Sequence, residues 1–244
     1  MNIAEGELTS LWVEPERPKR QIDWPALQFT DVFKIFRSGP VETVALRGLS
    51  LRVARGELVA VLGPSGCGKS TMLALASALD RPSAGEVRVG ELSLGLLDET
   101  ELADYRARHI ALVFQRDNLI SSLTARENVL LSLRLARHAE SGDAAEEALD
   151  AFGLGQRMSQ RTGSLSGGEQ QRVAIAAAAA RRAPLVLADE PNGELDATNE
   201  QRVLEALREL QGSFGSTVVA VTHSPRVARA ADRVIELRDG AAVS

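Results

Sequence analysis

The amino-acid sequence predicts an α/β fold: a mostly parallel sheet with helices on its faces, interrupted by one helical insert. Three observations carry this. From Ala26 onward, short β-rich runs alternate with helical stretches, and strand followed by helix in repetition is the pattern of a parallel sheet. A glycine-rich loop, GPSGCGKST, joins one such run directly to a helix. Between Arg116 and about Thr162 the strand pattern stops and two helical segments replace it.

Along the chain, Met1 to about Trp24 is polar, contains proline and has no clear period, so residues 1–24 are expected to be a loosely ordered leader. Trp12 and Trp24 could still pin it to the surface. Residues 25–244 form the expected domain. Its strands are placed near Leu27 to Phe33, Leu49 to Val53, Leu58 to Leu62, Glu86 to Val89, Ile110 to Phe114, Leu185 to Ala188, Thr217 to Thr222 and Val234 to Leu237. A helix is expected from Thr71 to Leu79. In the insert, at about 116–162, Thr124 with Glu127 forms a capping box ahead of a helix to about Arg137, and Asp143 to Phe152 forms a second helix closed by Gly153. Ala176 to Ala180 suits a helix interior. Asp239-Gly240 between apolar runs signals a hairpin and a small antiparallel finish.

The totals narrow the function classes. With 28 basic and 33 acidic side chains, the formal charge of −5 gives no general attraction to nucleic acid, and no nucleic-acid partner is expected. The longest apolar run, Val173 to Ala180, is far short of the roughly 20 residues that cross a bilayer. Met1 to Arg20 lacks the apolar segment of a secretory signal, so residence in the cytosol is expected. Cys67 is the only cysteine, and the three histidines show no paired spacing, which leaves no disulfide and no metal site built wholly by protein.

The loop itself fits G-x-x-x-x-G-K-[ST] from Gly63 to Ser70. Gly63, Gly66 and Gly68 free the backbone around Pro64, Ser65 and Cys67, so that successive N–H groups can converge on phosphate oxygens at the start of a helix. Lys69 supplies a full positive charge to the β- and γ-phosphates, the Ser70 hydroxyl is placed for Mg²⁺, and Thr71 opens the helix. ATP with Mg²⁺ is therefore the expected ligand. Cys67 at a helix start admits a redox switch on nucleotide binding, or simply a small residue in a variable position.

A phosphate loop needs further partners at neighbouring strand ends. Leu185 to Ala188 runs into Asp189-Glu190, where Asp189 is a second Mg²⁺ partner and Glu190 can activate or orient the attacking water. Gln115 ends another strand, and its amide could touch both Mg²⁺ and that water. His223 follows the strand Thr217 to Thr222 and could donate to the γ-phosphate.

Ser164 to Arg172 reads SLSGGEQQR and leads into a helix. Here the chain closely resembles the nucleotide-binding subunits of ATP-binding cassette (ABC) transporters, from about Leu27 to the end, with phosphate loop, Gln115, signature, Asp189-Glu190, Asp196 and His223 in the family's order. The resemblance implies the phosphate-loop ATPase fold with an antiparallel β subdomain beside the core sheet. It implies a head-to-tail dimer in which Ser166, Gly167, Gly168 and Glu169 of one copy cover the ATP held by the other, as a two-fold pair with two equivalent sites requires. It makes Phe36 the aromatic that stacks on adenine, with core packing as the rival, and Asp196 a residue that communicates between the sites.

The family's mode of action implies an integral membrane permease as partner, docked near Gln115 to Leu123 and the helical insert, and a peripheral position on the cytoplasmic face of the membrane. The segments LDRPSAGEVRV and YRARHIALVFQ look most like the branch serving lipoprotein release, macrolide export and cell division, some of whose members transmit force instead of carrying a solute. A soluble ABC-type ATPase acting on nucleic acid or ribosomes is the rival class. Two departures from the family pattern stand out: Asn192, where threonine is usual, is expected to retune the dimer contact, and Ala177, where arginine is frequent, to change helix packing.

Overall fold

The computed structural model describes residues 25–39, 41–137, 142–193 and 195–243; the leader at 1–24 lies outside them. Its first strands, β1 (Leu27–Ser38) and β2 (Val41–Val53), form a long antiparallel pair, far longer than the expected runs Leu27 to Phe33 and Leu49 to Val53. Their outer halves are exposed, so burial leaves no apolar pattern there.

From β3 (Leu58–Leu62) the chain enters α1 (Lys69–Ala76), then β4 (Ala84–Val89), β5 (Leu92–Ser93) and α2 (Glu99–Arg108). No apolar period in the sequence marks α2. It is nevertheless well specified, since Asp98 and Glu101 form a reciprocal capping box and the buried Tyr105 donates its hydroxyl to Ala76 O at 2.5 Å. Next come β6 (Ile110–Val113), the insert helices α3 (Ala125–Leu135) and α4 (Gly142–Ala151), and α5 (Gly167–Ala180). The Thr124 capping box is present as expected. The chain closes with β7 (Leu185–Asp189), α6 (Ala197–Gly212), β8 (Thr217–Val221), α7 (Pro225–Ala230), β9 (Arg233–Arg238) and β10 (Ala241–Val243).

Two sheets result. The core sheet runs β10-β9-β3-β8-β7-β6, parallel except for β10, and the antiparallel sheet runs β2-β1-β4-β5. Alternate residues of the core strands point to opposite faces. Leu58, Ala60, Val113, Val186, Ala188, Val218 and Ala220 pack with α3 to α6 on one side. Val59, Val61, Leu187, Val219 and Val221 pack with α1 and with Leu27, Phe29, Leu46 and Leu49 of the second sheet on the other. The hairpin at Asp239-Gly240 has φ of 47° and 81°, the paired positive values that the Asp-Gly signal implies.

The hairpin also buttresses the glycine loop. Gly240 N donates to Cys67 O at 3.0 Å, and its own carbonyl accepts from Arg47 N at 2.8 Å. The loop is thus wedged between the core sheet and β2.

Candidate functional site

The carboxyl ends of β3, β8, β7 and β6 lie side by side in that order, and each carries one predicted element: the glycine loop, His223, Asp189-Glu190 and Gln115. A crevice at the carboxyl ends of parallel strands is where open α/β sheets bind ligands.

In the loop, the N–H groups of Gly66, Gly68, Lys69, Ser70 and Thr71 have no hydrogen-bond acceptor among the described residues. Four of them are the N-terminal donors that a helix cannot satisfy itself, and with Gly66 they form a run of donors for anionic oxygens. Gly68 is required on two counts. Its φ is +105°, and a Cβ there would stand 2.6 Å from Ala45 O. At Gly63 a Cβ would meet Leu237 O at 2.2 Å and Cys67 Sγ at 2.6 Å. Pro64 and Ser65 form the exposed rim. Lys69 is buried, with Nζ donating to Gly63 O at 2.8 Å and Pro64 O at 2.9 Å, which holds the ammonium over the loop.

Cys67 is only 4% exposed and belongs to the core beneath the loop. That burial favours the plain reading of a small packing residue, which contributes loop backbone, over a reactive thiol.

The Ser70 hydroxyl lies 3.5 Å from Asp189 Oδ2. Burial pushes the Asp189 carboxyl above the ordinary range, while Ser70 and the Lys69 charge pull it down. A hydroxyl and a half-buried carboxylate are hard oxygen donors, and a carboxylate short of positive charge suits a divalent cation that draws its other oxygens from phosphates and water. The residues therefore fit Mg²⁺. Among the described residues no group of three His, Cys, Asp or Glu side chains could hold a metal unaided.

Glu190 has φ of +46°, which turns its side chain out of the strand direction. Its Oε2 accepts from His223 N at 3.2 Å and its Oε1 lies 3.2 Å from His223 Nε2. The imidazole is thus engaged with Glu190. Gln115 is exposed, and its amide lies against Gly193, where an added Cβ would stand 2.4 Å from Nε2. Phe36 is 44% exposed, with Lys34 Nζ 4.9 Å from its ring centroid, so the core-packing alternative does not hold and a ring face is available.

The glycine turn at Ser166 stands apart: among the described residues no hydrogen bond joins it to the 63–71 loop. Ser166 caps α5, and Glu169 returns the bond by accepting from Ser166 N and Oγ at 2.9 Å each, while Arg157 Nε binds its other oxygen at 2.9 Å. These partners hold the Glu169 carboxyl below its usual range, the Ser166 N–H most strongly. The structure thus gives Glu169 the work of fixing the turn, while Ser166 and Gly167 face outward. Asp196 caps α6, accepting from Thr198 N at 3.0 Å and Asn199 N at 2.9 Å.

Asn192, a departure from the family pattern, lies inside the chain. It is 8% exposed, accepts from Thr222 Oγ1 at 3.1 Å and donates to Glu200 at 3.0 Å. Its amide is spent on partners inside the chain. Ala177 is buried in the α3–α6 core, which agrees with a change in helix packing. Sequence reasoning also passed over Asn118, Gln171 and Glu200, whose polar side chains gain meaning only from partners distant in sequence.

Free loop N–H donors, a Ser70 hydroxyl near Asp189 and a Glu190 carboxylate contacting His223 are the arrangement expected of an ATP-binding, ATP-hydrolysing cassette. The chain belongs to the ABC transporter family, whose model matches residues 46–193. It is 45% identical over 223 residues to the lipoprotein-releasing system ATP-binding protein LolD of Anaeromyxobacter dehalogenans, covering 90% of this chain and 93% of that one. It is 41% identical over 218 residues to the macrolide export ATP-binding/permease protein MacB of Marinobacter nauticus, covering 88% of this chain but 34% of that protein. Among solved structures, a dimeric ATP-binding cassette in a post-hydrolysis state bound to ADP and Pi superposes with a TM-score of 0.81 at 40% identity, over 89% of this chain and 97% of that one.

Proposed function

We propose that this chain is the motor of a membrane transporter, hydrolysing ATP as a head-to-tail pair docked on a permease at the cytoplasmic face of the membrane. The observation that carries the reading is the set of acceptor-free N–H groups at Gly66 and Gly68 to Thr71, with the Asp189 carboxylate of β7 within 3.5 Å of Ser70 Oγ. In this reading the loop and Lys69 hold the triphosphate, and Phe36 stacks on the base. Ser70 and Asp189 hold Mg²⁺, with Gln115 at its edge; the ion neutralises phosphate charge. Glu190 accepts the proton of the attacking water, and His223 keeps that carboxylate in place.

The exposed turn Ser166-Gly167, apart from this chain's own loop, supports the pairing: a second anion-facing helix start has a use when a partner's ATP meets it. For the permease, Ile120 and Leu135 are large exposed apolar side chains on the face formed by the segment after Gln115 and by α3. No helix of the described residues is long and apolar enough to cross a membrane, which suits a motor acting on a separate span. The two relatives named for lipoprotein release and macrolide export make an exporter or a force-transmitting complex the favoured settings.

The test is phosphate release from Mg-ATP by the purified chain, with and without vesicles carrying a candidate permease. Release that depends on the square of chain concentration at low occupancy supports the pair. Release proportional to chain concentration, with no dimer formed on ATP addition, overturns it.

A further inference from the structure

Gln171 lies on α5, one turn beyond Gly167, and is 5% exposed. Its Nε2 donates to Phe114 O at 2.8 Å, to Pro191 O at 3.0 Å and, more weakly, to Gln115 O at 3.3 Å. Its Oε1 accepts from Asn118 Nδ2 at 2.7 Å. Asn118 in turn clamps Phe114 from both sides, accepting from its N–H at 2.7 Å and donating to its carbonyl at 2.6 Å. A single buried amide therefore touches the helix that begins at the Ser166 turn, the backbone that carries Gln115, and the turn that follows Glu190. Gly193 N closes that turn on Glu190 O at 2.9 Å, and the Gln115 amide lies against the same Gly193.

We infer that Gln171 is a positioning residue that couples the two ATP sites of the pair through one chain. The inference rests on the head-to-tail reading, in which Ser166 to Gly168 meets the partner's nucleotide while Gln115 and Glu190 serve the chain's own. Bonds of 2.8 to 3.0 Å fail within a shift of about 1 Å, and a buried amide stripped of its partners is costly. A movement of α5 that follows contact with the partner's ATP must then carry Gln115 and the Glu190 turn with it. Occupancy of one site thereby sets the geometry of the other, which is positive coupling between two distinct sites.

The test uses the full chain and reads phosphate release against ATP concentration. The parent should show a Hill coefficient above one and below about two, the number of sites. Gln171→Leu should bring it to about one and lower kcat about tenfold through a misplaced Glu190, with binding of a fluorescent ADP within about twofold of the parent, since the phosphate loop is untouched. Gln171→Glu keeps the shape, yet its ionised form has no proton to donate to Phe114 O or Pro191 O. Protonation restores one donor, so its cooperativity should recover as pH is lowered while the parent's does not, a response that general loosening of the fold would not give. A Gln171→Leu chain with parental kcat and Hill coefficient overturns the inference, as does a parent that dimerises on ATP but shows a Hill coefficient of one. A parent that never dimerises removes the head-to-tail reading, and this coupling with it.

Discussion

Glu190→Gln separates the catalytic role of the strand-end carboxylate from its structural one. In the fold, Glu190 makes two contacts of 3.2 Å to His223 and is partly solvated. Glutamine is isosteric and keeps an acceptor for His223 N, so only the charge toward the imidazole is lost, which is worth less than about 1 kcal/mol at such a site. Stability should hardly change. Removing a proton acceptor from the water, by contrast, costs about 10²–10⁴ in rate, or roughly 3–5 kcal/mol of barrier. The positive φ of Glu190 sharpens the contrast: a non-glycine residue there costs about 1 kcal/mol or more. The fold accepts that strain to hold a side chain, and the side chain must then matter. The assay is phosphate release paired with a thermal melt and gel filtration in Mg-ATP. The expected result is a parental melting temperature, turnover below about one hundredth, and accumulation of an ATP-bound dimer. Turnover at the parental rate would refute the assignment of Glu190.

Lys69→Ala removes the charge now held over the loop by Gly63 O and Pro64 O, and calorimetry should show ATP affinity reduced by about 10²-fold or more, since a charge-assisted bond to phosphate is worth about 1.5–3 kcal/mol. Gly68→Ala places a Cβ 2.6 Å from Ala45 O at φ +105°, and should destabilise the protein by about 3 kcal/mol, a drop of roughly 6–12 °C by calorimetry. For Asp189 the sign follows from its raised pKa: the native state holds the proton longer than the unfolded chain, so its contribution to stability is largest below the unfolded pKa and declines as pH rises through the folded one. Asp189→Asn should therefore match or exceed the parental melting temperature at pH 7 without Mg²⁺, with the advantage shrinking in acid, and should lose most of the stabilisation that Mg-ATP gives the parent.

Much of this was legible because the motifs are local. The glycine loop, the Ser166 cap and the Thr124 capping box each draw their partners from within a few residues, so sequence spacing shows them directly. The core strands were legible because both their faces are buried, leaving short continuous apolar runs. The outer halves of β1 and β2 were hidden for the opposite reason: exposed on an antiparallel ribbon, Arg37 and Ser38 of β1 and Val41 to Thr43 of β2 need no apolar pattern. Helix α2 was hidden because only Leu102 and Tyr105 are buried on it, too few to set a period. Site residues divide the same way. Lys69 and Asp189 sit next to motif landmarks, whereas Gln171 bonds to Phe114 O and Pro191 O, and no spacing rule joins positions so far apart.

Asn192 shows how a departure from a family pattern is absorbed. Threonine carries one short hydroxyl, while asparagine presents an acceptor and a donor on a longer arm, and here both are used, toward Thr222 and toward Glu200. Glu200 also accepts from the Ser224 hydroxyl and pairs with Arg226 at 3.3 Å, while Ser224 N donates to Thr222 Oγ1 at 3.0 Å. The turn after Glu190 and the loop that bears His223 are thereby joined by side-chain bonds. Glu190 and His223 also meet directly, so the two residues are held by two sets of contacts. A change at position 192 therefore acts through the spacing of Glu190 and His223 within one chain. Ser166 and Gly167, which the proposed pairing uses, share no hydrogen bond with Asn192.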